Sequence, residues 1–544
     1  MTATIEELLR AAEPTEPRGL DGLVARLQGI DAGTRLIQSS TPIEAGWADG
    51  GAGPIRGVAY DSRTVKPGSL FVAVPGLHAD GHAFIGQAAA GGAVAIIVER
   101  PLDGLRVPQI VVASARRALA EAAAWWYGDP SHELGVIGIT GTDGKTTTSF
   151  LAAAALAEAG LRPGIVGTVA TQIGRVREAN REHSTTPEAP QLQAALRAMV
   201  AAGDAAAVIE TTSHGLALDR VAAVAYDVAL FTNLSHEHLD LHGTYEAYRR
   251  AKQSLFDRLA SGPANPPKPG VAWPRTGIVN ADDASAAVFE AATRAAGAAL
   301  ITFGTRLDAD VRLLDAADDG GGLAVRYAVR AAERSLRLRL AGRFNAYNAL
   351  AVVALGLAID LDEDAVRAGL EAAEPVPGRM ERIDRGQPFS VVVDYAHSPA
   401  SLELVLDELG PTAAARGGGL IVVFGSAGER DLEKRALMGR VAGQRCRVVI
   451  ATDEDPRSED PAAIVAEIAA GARAGAAGGG ETTVLEIPDR RTAIREALRR
   501  ARPGDVVLLA GKGHETTILY ADRTEIWNER AEAEAALAEL GWPR

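Results

Sequence analysis

A chain of 544 residues is too long for one ordinary core, and the usual ~150 residues per domain predicts about three. Its 47% hydrophobic and 23% charged residues fit a globular protein, while a net charge of −14 with no long Lys/Arg run excludes nucleic acid as the main partner, so anionic ligands must be held by local cations and helix N-termini. The single cysteine, Cys446, excludes an intramolecular disulfide and reads as a core thiol, and the absence of an apolar signal core or of ~18 uninterrupted apolar residues points to a cytoplasmic protein without a membrane span.

In chain order, roughly the first 45 residues read as a poorly specified extension. Short apolar strands then alternate with Ala-rich helices. Ser69–Val74 and Ala93–Val98 are strands. Ser114 is placed to cap a helix over 115–126 that Gly128-Asp129-Pro130 ends. A second unit opens on the buried-strand pattern Leu134–Ile139, followed by a glycine-rich turn and a helix over 146–159. It closes at the proline-rich break Glu374-Pro375-Val376-Pro377-Gly378. In the third unit the runs 391–393, 420–424, 448–450, 484–487 and 506–509 alternate with helical stretches, which implies parallel βαβ units. The expected class is α/β, with domains over 1–130, 131–375 and 376–544.

The turn Gly138-Ile139-Thr140-Gly141-Thr142-Asp143-Gly144-Lys145-Thr146-Thr147 lies between a strand and a helix. Glycines let backbone N–H groups wrap an anion, Lys145 can neutralise the β/γ-phosphates, and the Thr146 hydroxyl can reach Mg²⁺. Ile139 stands where the strict P-loop pattern has Gly, so this is a variant in the right strand–loop–helix context.

The segment Gly141–Thr147 resembles the nucleotide loop of the Mur ligases and folylpolyglutamate synthetases. Further blocks follow in that family's order: Ser184–Glu188, Glu210–Leu216, Thr232–Gly243, Ala251-Lys252, Asn280–Asp283, Gly342–Asn348, Val376–Glu381, Asp394–His397, Glu429–Asp431, Glu454–Arg457 and Gly511–Glu515. The set is most similar to the Mur ligases that add a diamino acid as third residue of a UDP-linked cell-wall peptide. The resemblance implies a UDP-binding domain, a central P-loop ATPase and a Rossmann-like C-terminal domain. It also implies ATP and Mg²⁺, a role in peptidoglycan synthesis, and an acyl-phosphate intermediate attacked by the incoming amine.

The same resemblance assigns roles. Gly141, Thr142, Asp143, Gly144, Lys145, Thr146, Thr147, Asn345, Asn348, Arg379 and Asp394 would surround ATP. Thr146, Glu210, His238 and a carbamylated Lys252 would hold metal, and Lys145, Lys252, His238, Glu210 and Arg379 would act in catalysis. Ser62, His78, Thr185, Thr186, Thr212 and Arg220 would contact the UDP-muramoyl dipeptide; Thr212 replaces a usual serine. Arg430, Glu454, Asp455, Arg457, Gly511 and Glu515 would hold the diamino acid, in a protein expected to be a monomer.

For the amine two readings conflict. Arg457 can grip the distal carboxylate of diaminopimelate bidentately. Asp455, where the diaminopimelate enzymes commonly have Asn, would repel that carboxylate and favour the ammonium of lysine or ornithine. A polyglutamate-adding ligase and a nucleotide-binding regulator on a ligase scaffold stand as alternatives; the segments around Ser62 and His78 weigh against the first, and the full set of catalytic residue types against the second.

Overall fold

The computed structural model describes residues 3–37, 53–76, 79–180, 184–235, 239–262, 265–268, 270–318, 322–429, 431–477 and 482–542. The chain divides into two compact units, residues 1–312 with 351–369, and 313–350 with 370–544.

In the first unit, a five-stranded sheet runs in the order Arg35–Ile37, Gln109–Val111, Ala95–Val98, Ser69–Val72, Gly57–Ala59. All neighbours are parallel except the first pair. The helix Ala115–Tyr127 starts where Ser114 accepts the Arg117 N–H at 3.2 Å and ends at Gly128 with φ 74°. The eight strands of an eleven-stranded sheet that fall in this unit have the order Ala299–Gly304, Thr276–Asn280, Val228–Phe231, Gly135–Thr140, Ala206–Glu210, Pro163–Val166, then two antiparallel strands, Ala170–Ile173 and Val176–Ala179. Its central strands are parallel and wholly buried.

Over its described residues, 3–37, the N-terminal extension is not poorly specified; residues 38–45 lie outside the described ones. Residues 5–11 and 20–30 are helices and 35–37 a strand. Thr4 and Glu7 form a reciprocal capping box, and the Ile5 N–H donates to Glu178 at 3.0 Å. Leu20, Leu23, Val24 and Leu27, spaced i, i+3, i+4, i+7, are buried against Trp126 and its neighbours. Both signals are in the sequence, but each spans too few residues to stand out.

The second unit holds a six-stranded sheet in the order Glu381–Ile383, Ser390–Asp394, Val506–Ala510, Leu420–Phe424, Val448–Ala451, Thr483–Glu486. Only the Glu381–Ile383 edge is antiparallel. The five parallel strands are those expected from the apolar runs. Asp394, Glu454 and Gly511 leave the sheet at carboxyl ends of strands, where open α/β sheets bind ligands. Cys446 is 3% exposed, and burial pushes its thiol pKa up, as fits a core residue.

The helices Glu433–Arg445 and Pro461–Ala476 touch backbone to backbone. A Cβ on Gly439, Gly443, Gly471 or Gly475 would lie 2.1, 2.0, 2.2 or 2.3 Å from a carbonyl oxygen of the facing helix. Only glycine permits that approach.

Among the described residues no helix is long and apolar enough to cross a membrane.

Candidate active site

The phosphate loop is pinned from the neighbouring strand. The Asn233 carbonyl accepts the Thr142 N–H at 2.8 Å and its Oδ1 accepts the Asp143 N–H at 2.9 Å. The Thr232 hydroxyl donates to the Asp143 carbonyl at 2.6 Å. Gly141 has φ 150°, and a Cβ there would fall 1.9 Å from Thr232 Oγ1, so the turn requires glycine. Gly144, φ 81°, then releases the chain into the helix Lys145–Glu158, whose first turn carries Thr146 and Thr147.

Two lysines converge on one carbonyl of this loop. Lys145 Nζ donates to the Gly141 and Thr142 oxygens at 2.9 and 2.7 Å. Lys252 Nζ donates to the Gly141 oxygen at 2.6 Å. Lys252 is 1% exposed, on the helix Tyr245–Asp257, with its ammonium 4.5 Å from the Tyr248 ring centroid. The Tyr248 hydroxyl in turn lies 3.1 Å from Thr142 Oγ1.

Glu210, fully buried at the end of its strand, joins the loop to a run of hydroxyls. Its Oε2 accepts from Thr146 Oγ1 at 2.8 Å and from Thr168 Oγ1 at 2.9 Å, and its Oε1 accepts the Thr168 N–H at 2.9 Å. Thr168 Oγ1 lies 2.9 Å from Thr185 Oγ1. The Thr186 hydroxyl gives its one proton to the Glu210 carbonyl at 2.7 Å, so in the 2.9 Å contact with Thr212 the Thr212 hydroxyl is the donor. Arg220 donates to Ser184 Oγ and the Thr186 carbonyl at 2.9 and 2.8 Å and pairs with Glu188 at 2.8 Å. Thr185, Thr186, Thr212 and Arg220 are therefore gathered around Glu210 as a set.

Thr168 was missed by sequence reasoning. It belongs to no recognised block, and its only signal is its place just past the apolar run that ends at Val166. Ser62 is not part of this cluster; it sits on a separate turn and donates to Gln87 Oε1 at 2.9 Å. His78, His238 and Arg430 lie outside the described residues.

The oxygen donors suit Mg²⁺, which takes one or two carboxylates and completes its shell with phosphate and water. Thr146 and Glu210 offer one hydroxyl and one carboxylate beneath the phosphate loop. Bound there, the ion would polarise the transferred phosphoryl group.

In the second unit, Asn345 Nδ2 donates to the Ala341 carbonyl at 2.6 Å and Asn348 Nδ2 to Asn345 Oδ1 at 2.8 Å, so the pair shares one helix face. Asp394 accepts the Met380 and Ala396 N–H groups at 2.7 and 2.8 Å, which shapes the turn that carries Arg379. The Arg379 guanidinium is 4.7 Å from the Tyr395 ring centroid, and its buried Nε has no partner among the described residues. Tyr395 donates to Glu515 at 3.3 Å; burial and that carboxylate hold its hydroxyl well above the ordinary range.

The loops expected to hold the amine face each other across Lys512. Its Nζ donates to Asp455 Oδ1 at 2.9 Å and to Glu515 Oε2 at 2.5 Å. Burial works against the Lys512 charge, yet the two carboxylates raise its pKa overall. Burial raises Glu515, Lys512 opposing it. Asp455 Oδ1, expected to repel a carboxylate, is thus already engaged, and it also accepts the Leu519 N–H at 3.0 Å. Glu454 is 6% exposed with Oε2 unpartnered among the described residues, 2.6 Å from where a Gly511 Cβ would stand. Arg457, with φ 57° and its N–H bonded to the Leu519 carbonyl at 2.9 Å, has a buried Nε likewise without a partner.

The sequence matches the Mur ligase family catalytic domain over residues 54–127, the Mur ligase middle domain over 139–356 and the Mur ligase, glutamate ligase domain over 378–513. It is 48% identical to the UDP-N-acetylmuramyl-tripeptide synthetase of Roseiflexus sp. (strain RS-1), covering 90% of this chain and 95% of that one. It is 40% identical to the UDP-N-acetylmuramoyl-L-alanyl-D-glutamate–2,6-diaminopimelate ligase of Geobacillus thermodenitrificans (strain NG80-2), covering 91% and 97%. A solved UDP-N-acetylmuramoyl-L-alanyl-D-glutamate–2,6-diaminopimelate ligase superposes with TM-score 0.64 at 29% identity, covering 95% and 99%. The chain belongs to the Mur ligase family.

Proposed function

We propose that this ligase adds a diamino acid to UDP-N-acetylmuramoyl-L-alanyl-D-glutamate in peptidoglycan synthesis, in the cytoplasm, as a monomer of three domains with boundaries near residues 130 and 375. The observation that carries the reading is the Thr146–Glu210 contact at the foot of the phosphate loop, to which Thr185 is joined through Thr168, Thr186 through the Glu210 backbone carbonyl, and Thr212 and Arg220 through Thr186. It brings the groups for a nucleotide phosphate and for an acceptor carboxylate to one place.

ATP transfers its γ-phosphoryl group to the substrate carboxylate, ADP leaves, and the free amine attacks the acyl carbon and expels phosphate. The chain's task is to neutralise and position many oxygens. Lys145 and Arg379 bring positive charge to the phosphates, Thr146 and Glu210 would hold one Mg²⁺, and His238 would be a ligand of a second. Lys252, as a carbamate, would supply an anion that can hold metal or position the γ-phosphate, in place of the ammonium seen against Gly141. Asn345, Asn348 and Asp394 shape the nucleotide's surroundings, Ser62 and His78 the UDP end, and Arg430, Glu454, Arg457, Gly511 and Glu515 the amine.

Phosphate release with ATP, Mg²⁺ and UDP-N-acetylmuramoyl-L-alanyl-D-glutamate tests this, with meso-diaminopimelate, L-lysine or L-ornithine added separately. Turnover that needs both the UDP-dipeptide and an amine supports it; ATP hydrolysis indifferent to both sinks it. The carbamate predicts that Lys252→Ala is inactive and that added CO₂ does not restore it.

A further inference from the structure

Lys512 is wholly buried, yet both its hydrogen-bonded partners are carboxylates of the loops assigned to the amine. It ties the loop after Val448–Ala451, which carries Glu454, Asp455 and Arg457, to the loop after Val506–Ala510, which carries Gly511 and Glu515. Among the described residues no arginine and no second lysine forms an ion pair with Asp455 or Glu515, and Arg457 forms no ion pair at all. We propose that Lys512 is the positioning residue that sets amine selectivity: it neutralises Asp455, leaves Arg457 as the free charge of the site, and so makes the pocket select a diamino acid with a distal carboxylate over one that ends in an ammonium. The inference rests on the ligase reading above.

The charge count makes it specific. Lys512, Asp455 and Glu515 together carry one net negative charge. Asp455→Asn removes that charge, Lys512→Met doubles it, and the double variant restores it. A ligand's distal carboxylate and distal ammonium feel each change with opposite sign, so the ratio of their kcat/KM values moves while effects common to both cancel. A unit charge within several ångströms in a partly buried site shifts that ratio by roughly tenfold or more.

The test is the kcat/KM ratio of meso-diaminopimelate to L-lysine in the full-length enzyme and the three variants. The expected results are a wild-type preference for diaminopimelate, a rise of roughly tenfold in Asp455→Asn, a fall of similar size in Lys512→Met, and a double variant close to wild type. A merely structural Lys512 would lower both activities and leave the ratio unmoved. A wild-type preference for lysine, an unmoved ratio, or a ratio that falls in Asp455→Asn overturns the proposal while leaving the ligase reading intact. If Lys512→Met does not fold, the double variant compared with Asp455→Asn decides: a ratio roughly tenfold lower in the double variant supports the proposal, and an equal ratio overturns it. If no amine gives product with the wild-type enzyme, the ligase reading fails first and takes this inference with it.

Discussion

Around Glu210 the polar groups are mainly short hydroxyls hung on or just beyond strand ends, whereas around Lys512 they are full charges carried on loops. The first arrangement shares one buried carboxylate among Thr146 and Thr168 and needs little side-chain ordering. The second buries a lysine between two acids and, nearby, the Arg490–Glu529 pair, each partner 1% exposed or less on its side chain. Hydroxyl networks fix geometry through short, stiff side chains, whereas charged loops can be re-tuned by one substitution, as the proposed amine selectivity requires.

That contrast can be broken or sharpened by substitution. The largest effect belongs to Glu210→Gln, which keeps shape but removes the charge at the phosphate loop; kcat should fall by ~10²–10³ with the unfolding curve unchanged in slope. Arg490→Met should lower stability by about 3–5 kcal/mol in urea titration, because Glu529 is left buried with, among the described residues, only Trp527 to donate to it. Thr168→Val should lower kcat/KM by about tenfold, the loss expected for one hydrogen bond to a charged group, with no change in Tm beyond a few degrees. An unaffected Thr168→Val enzyme would show that the hydroxyl run is packing and not positioning.

Asp453 gives the pH arm of the comparison. Burial pushes its carboxyl up to about 6, with Tyr520 and Arg490 pulling the other way. A raised folded pKa means the native state holds a proton that the unfolded chain has already released. Stability is therefore full below the ordinary carboxylate range, declines as pH rises from about 4 to about 6, and is level above. Asp453→Asn should flatten that slope in Tm measured between pH 4 and 8. The smallest effect is Thr4→Ala, about 1 kcal/mol from loss of the capping box, read as faster amide exchange in residues 5–11.

Much of this was legible in the sequence where a single local rule decides. The five parallel strands of the second unit follow from uninterrupted apolar runs, and Glu210 and Asp394 could be set at strand ends for the same reason. Ser114 and Gly128 mark a helix because capping is written in neighbouring residues. What could not be read depends on groups distant in sequence. Lys512 meets Asp455 across 57 positions and Thr168 meets Glu210 across 42. Asp455 was expected to repel a carboxylate because its partner is invisible from its own motif.

The four glycines between the helices Glu433–Arg445 and Pro461–Ala476 have a consequence for how such an enzyme can evolve. Each Cα rests against a facing carbonyl, so even Gly→Ala, the smallest step available, must separate the two helices. Those helices begin just after the Glu429 and Arg457 loops. Positions inside the helix pair are thereby held fixed, and substitution is channelled into the loops.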